Sequence, residues 1–168
     1  MTEIGFYHLT RTSAEAALPP LLGRTLALFG AAQHQAALPP LLGRTLALGE
    51  RALVLCRTEQ RVAALDAALW ACVQPDWLPH GTQRDGDADL QPIWLDTRDA
   101  APNGARFLFL LEGADTPRLG DFARVFDLFD GTDEAAVAAA RARWSAVKAA
   151  GHVLTYWQQG ERNWERRN

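Results

Sequence analysis

Apolar and polar positions along this chain follow two periods, and the switches between them predict its elements. "IGFYHL" (4–9) reads as a strand, followed by a polar turn and cap region at Thr10–Ser13. "RALVLC" (51–56), "PIWLDT" (92–97), "ARFLFLLEG" (105–113), "RVFDLFD" (124–130) and "HVLTYWQ" (152–158) are short apolar runs bounded by polar or turn residues, which predicts five more strands. Helical spacing runs through "TEQRVAALDAALWAC" (58–72), apolar at Val62, Leu65, Leu69 and Cys72 behind Thr58 as N-cap. It runs also through "DEAAVAAARARWSAVKAAG" (133–151), Ala-rich and closed by Gly151. Residues 73–91 read as a long loop containing Pro75, Pro79, Gly81 and Gly86, with Trp77 and Leu78 as apolar exceptions. "RLGDFA" reads as a turn or short helical piece. Strands alternating with helices predict an α/β fold of three layers, α/β/α, around a mostly parallel open sheet. One domain over 1–158 and a polar C-terminal tail over 159–168 are expected.

One segment breaks the simple alternation. "AALPPLLGRTLAL" occurs at residues 16–28 and, letter for letter, at 36–48. Solenoids need three or more such units, and nothing after residue 48 resembles this one, so a tandem duplication of one helix, with 29–48 as the insertion, is the better reading. Removing 29–48 leaves an amphipathic helix that runs through a Gly-containing turn into the next strand. Twenty residues at about 3.6 per turn rotate the second copy by roughly 200° relative to the first, so both cannot face the core of one helix. Pro39 and Pro40 also lack amide hydrogens. A break near Gly30–Gln35 is expected, with the second copy packed, because it keeps the short link to the strand at 51–56.

Composition narrows the function. An apolar share of 48% and 168 residues suffice for one packed core, and no apolar run approaches the roughly 20 residues of a membrane span. The N-terminus lacks a signal-peptide profile, which points to the cytoplasm. Cys56 and Cys72 show no metal-ligand spacing and read as buried thiols. A net charge of −3 and an isoelectric point near 5.8 argue against direct binding of DNA, although residues 141–167 are locally basic, with Arg141, Arg143, Lys148, Arg162, Arg166 and Arg167. Direct single-strand binding through aromatics and these arginines stays a weaker alternative.

Familiar catalytic signatures are missing. The turn after the first strand, "HLTRTSAE", has no Gly, so no phosphate loop forms there, and neither GxGxxG nor GxxxxGK[ST] occurs. No GxSxG exists, and Ser13 and Ser145 are the only serines. Neither a catalytic set, a cofactor nor a metal site is expected. The alternative reading is a small enzyme with a cleft at His80, in "WLPHGT", served by Asp76 or Asp96.

Six tryptophans stand out. Trp70 at a helix end, Trp77 in the following loop and Trp144 three residues after Arg141 make a candidate pocket in which indoles enclose an apolar side chain and a cation pairs its carboxylate. Lys148, four residues after Trp144, extends that face. The patches "FYHL", "ALVLC", "ALDAALWA", "WLPHG", "RVFDLFD", "ARARWSAVKAAGH" and "VLTYW" resemble the chi subunit of bacterial DNA polymerase III holoenzyme, an accessory subunit of the clamp-loader assembly. The resemblance covers 4–9, about 50–158 and one copy of the helix. It implies a non-catalytic replication protein with a nucleotide-binding-like fold. It also implies two partners: the acidic C-terminal tail of single-stranded DNA-binding protein, which ends in Pro-Phe, and the psi subunit, with DNA engaged only indirectly. Carried over, the tail pocket uses Trp70, Trp77, Phe129, Arg141 and Trp144, with Arg141 on the terminal carboxylate. Family members can carry Lys where this chain has Val137 and Ser145, so Arg143 and Lys148 are the expected substitutes in the basic rim. No residues for psi contact are transferred.

Overall fold

The computed structural model describes residues 1–10, 26–73, 75, 77–160 and 164–167, with backbone alone for 26–36. Eight strands form one sheet: β1 (Glu3–Leu9), β2 (Ala52–Leu55), β3 (His80–Thr82), β4 (Ile93–Asp96), β5 (Phe107–Leu111), β6 (Arg124–Asp130), β7 (Val153–Gln159) and β8 (Trp164–Arg167). Their order is β3-β4-β2-β5-β6-β1-β7-β8, with every pairing parallel except the antiparallel β7–β8 hairpin. Among the described residues the α-helices are α1 (Leu26–Ala47), α2 (Glu59–Trp70) and α3 (Glu134–Ala149).

The period of two along each strand divides the core. Val54, Ile93, Leu95, Phe109, Phe126 and Leu128 face one side, where Leu38, Leu41 and Leu42 of α1 and Val62, Leu65 and Leu69 of α2 cover them. Leu53, Trp94, Leu108, Leu110, Val125 and Phe129 face the other, where α3 lays Ala140 against the sheet with Val137, Trp144 and Val147 around it. This is the expected three-layer α/β/α arrangement. Thr58 caps α2 by accepting from the Arg61 amide, as its position suggests. Gly49 and Gly151 close α1 and α3 at φ +73° and +80°, and in both turns the next residue's amide reaches back five positions, Glu50 to Thr45 and His152 to Val147.

Three expectations fail. The expected break at residues 30–35 is absent, since α1 runs uninterrupted from Leu26 to Ala47 with Pro39 and Pro40 inside it. Proline's fixed φ is itself helical, so the damage is limited to two missing amide donors and local crowding, and the buried Ala37, Leu38, Leu41 and Leu42 hold the segment against the sheet. It is the second copy that packs, while most of the first lies outside the described residues, as do Arg11–Ser13 of the expected cap. Secondly, the long loop 73–91 contains a strand. β3 has only three residues, one of them Gly81, and is defined by pairing with β4, not by its own pattern. Thirdly, the polar tail contains β8. Its apolar anchor is Trp164, edge-on to Tyr7 at 5.0 Å, and the rest of the strand is held by its ladder to β7. Among the described residues no helix is long and apolar enough to cross a membrane.

This packing has two measurable consequences. Pro40 is exposed, so Pro40→Ala restores an amide donor and loses no burial; a gain of about 2 kcal/mol is expected, the difference between a helix penalty of about 3 and an unfolded-chain term of about 0.4–1, read as a shift in the urea midpoint. Burial pushes the Cys56 thiol and the Tyr7 phenol up from 9.0 and 10.0 to about 12 each. Folding therefore keeps both neutral, and their contribution is complete below about pH 9 and lost as pH rises towards 12. Melting temperatures are expected to fall progressively above pH 9, and to do so less in Cys56→Ala.

Candidate functional site

β1 lies between β6 and β7, and the β6–α3–β7 crossover carries α3 over it. Two contacts set the height of α3. Ala140, with no side chain beyond its Cβ, lets the helix come close. Arg143 then reaches down to Asp127 on β6 with a paired grip, Nε to Oδ2 at 2.7 Å and Nη2 to Oδ1 at 2.9 Å. Asp127 is 2% and Arg143 18% exposed, so the pair is largely out of water. Arg143 is thereby used internally, which removes it from the expected basic rim.

Along the rest of α3, Val137, Arg141 and Trp144 face a cavity of about 480 Å³ above the sheet, within the range of about 300–1,000 Å³ usual for ligand pockets. Phe6, Phe129, Leu154 and Tyr156 line it from the sheet. Trp144 stands edge-on to Phe6 at 5.0 Å and to Tyr156 at 6.5 Å. His8 stacks on Phe129 at 5.2 Å and shares a short hydrogen bond with the Tyr156 hydroxyl through Nδ1. The site thus lies towards the carboxyl ends of β1 and β6, where open α/β sheets bind ligands. Among the described residues its lining includes three arginines, Arg141, Arg166 and Arg167, and no carboxylate. Burial raises the Tyr156 pKa while Arg141 and Arg167 pull it back, so both positive charges are felt inside. The arrangement can hold an apolar, preferably aromatic, group beside an anion.

The structure therefore brings together Phe129, Arg141 and Trp144 of the six expected site residues. Lys148 is exposed on α3 and does not line the cavity. Trp70 and Trp77 are elsewhere: Trp70 ends α2, which packs on the opposite face of the sheet, Trp77 stands in the segment between α2 and β3, and they are 67% and 68% exposed. The reason is topological, because α2 and α3 cover different faces. Sequence reasoning missed Phe6, His8, Leu154 and Tyr156, although strand alternation puts each pair on one face. It also placed Arg166 and Arg167 in a tail without a position.

The histidine alternative fares differently. His80 is 6% exposed within β3, its Nδ1 donates to the Leu78 carbonyl at 2.6 Å, its Nε2 lies 3.2 Å from Asp66, and Trp70 packs on it at 5.0 Å. It lines neither this cavity nor the smaller one beside α1. Asp96 is buried, which opposes its ionisation, yet hydrogen bonds from Arg98, Trp94 and Gln83 more than offset that and lower its pKa; it serves the loop after β4. Asp76 lies outside the described residues. His80 is thus buried, held between the Leu78 carbonyl, Asp66 and Trp70.

A family model described as the DNA polymerase III chi subunit, HolC, matches residues 1–155. Among curated proteins none matches the chain.

Replacing Arg143 by Ala is expected to cost about 3 kcal/mol, because it takes a two-point guanidinium contact away from the buried Asp127 carboxylate. Asp127→Asn combined with Arg143→Ala is expected to recover part of that loss, and chemical denaturation of the single and double variants measures both.

Proposed function

The chain belongs to the DNA polymerase III chi subunit family, accessory subunits of the replicative polymerase, and from that premise we propose that it captures the acidic C-terminal tail of single-stranded DNA-binding protein in the cavity under α3. One observation carries the reading: among the described residues, an aromatic-floored hollow has three arginines and no carboxylate in its lining. A chain end finishing in Phe offers both groups that this hollow accepts. Its ring stacks among Phe6, Phe129 and Trp144, and its terminal carboxylate pairs with Arg141. Among the described residues Arg141 has no carboxylate partner of its own, so its pairing with the terminal carboxylate displaces none.

This role is adaptor work and not catalysis: the protein joins the polymerase assembly to DNA through the protein that coats it. A net charge of −3 favours such an indirect route over contact with phosphates. The second partner implied by the family, the psi subunit of the clamp loader, is assigned by the same proposal to the exposed Trp70 and Trp77. Large exposed indoles are unusual on a surface without a partner, and their position away from α3 leaves the cavity open.

A synthetic acidic peptide ending in Pro-Phe, titrated by fluorescence anisotropy at low salt, is expected to saturate the chain. Deleting the terminal Phe is expected to abolish binding, and Arg141→Ala to weaken it about tenfold. Trp70→Ala and Trp77→Ala are expected to leave it unchanged. Absence of binding by the unaltered chain overturns the assignment.

A further inference from the structure

We propose that Arg167, on the edge strand β8, is a second cationic contact of this cavity, taking an acidic side chain that precedes the captured chain end, and that Glu165 occupies Arg167 until such a ligand arrives. The inference rests on the tail-capture reading and deepens it. β8 lies beyond residue 155, where the family match ends, so the contact is additional to what the match covers. The register sets Arg167 opposite Tyr156. Directly paired residues share a face of the sheet, and Tyr156 is on the α3 face with Leu154. Arg167 and Arg141 therefore approach the hollow from different sides, one from the sheet edge and one from the helix, and both line it.

Glu165 and Arg167 are two residues apart on one strand, so they too share that face. Arg167 Nη2 lies 2.8 Å from Glu165 Oε2, with the side chains 56% and 52% exposed. A pair this open contributes little to folding, and its exchange for a ligand carboxylate replaces one ion pair with another of the same kind. The hollow is larger than a single aromatic side chain, so the residues before a terminal ring also lie within it or along its rim. An extended acidic segment leaving the Arg141 end meets Arg167 on the way out. The Glu165 carboxylate then acts as an internal stand-in, which raises the threshold for neutral peptides and admits acidic ones.

The test compares the acidic peptide ending in Pro-Phe with one whose upstream Asp residues are replaced by Asn, titrated against the full chain and its variants. Arg167→Gln is expected to weaken the acidic peptide about three- to fivefold and to leave the Asn peptide unchanged. Glu165→Gln is expected to tighten the acidic peptide about twofold in the intact chain and not in the Arg167→Gln background. Equal binding of the acidic peptide by the intact chain and Arg167→Gln, with Arg141→Ala still weakened, overturns this inference alone. Tightening by Glu165→Gln that persists without Arg167 overturns the stand-in role. No binding of the acidic peptide by the intact chain overturns both this and the tail-capture reading. All these side chains are surface groups, and unchanged melting temperatures confirm that folding is not the cause.

Discussion

The grip of Arg143 on Asp127 is the constraint on which the site depends. A carboxylate buried on a central strand is tolerable only if it is paired or hydrogen-bonded, and α3, lying above β6, brings the Arg143 guanidinium to it. Once that bidentate contact is made, the rotation of α3 is set. Arg141, two residues earlier, then turns outwards, and Trp144, one residue later, turns towards Phe6 and Tyr156. The hollow is thus the gap left when a helix is held close by Ala140 and Arg143 but kept off the β7 side by an indole. A core pair that adds little net stability determines where a charge and a ring stand at the surface.

Most of the scaffold could be read from the pattern of residues. The strands at 4–9, 51–56, 92–97, 105–113, 124–130 and 152–158 and the helices after Thr58 and Asp133 have strong local signals, because each buries a regular apolar stripe. The elements that pattern did not reveal depend on distant partners. β3 exists because Ile93–Leu95 offers a free edge for His80–Thr82, and β8 because β7 offers one for Trp164–Arg167. The unbroken α1 shows the reverse error. Local chemistry argued for a break beside two prolines, and burial of Leu38, Leu41 and Leu42 against the sheet outweighed it.

The candidate site was legible in part for the same reason. Arg141 and Trp144 are neighbours on one helix, so spacing alone brings them together. Trp70 and Trp77 are conspicuous aromatics and join the set on that ground, but the face of the sheet that a helix covers follows from the path of the chain and not from its composition. Family likeness supplied the chemistry of the ligand, while the fold sorts the residues into two surfaces that cannot touch one occupant. That division fits the proposal of two partners held on separate surfaces.

The short hairpin partner at the sheet's rim has one more effect. A parallel sheet that stopped at β7 would leave a strand of mixed exposure with unpaired amides and carbonyls, an invitation to pair with another copy. With β8 in place the outermost strand is Trp164-Glu165-Arg166-Arg167, four residues long and with three charges among them. So brief and charged a border disfavours edge-to-edge pairing on this side of the sheet, and the same few residues that dress the hollow also form that border.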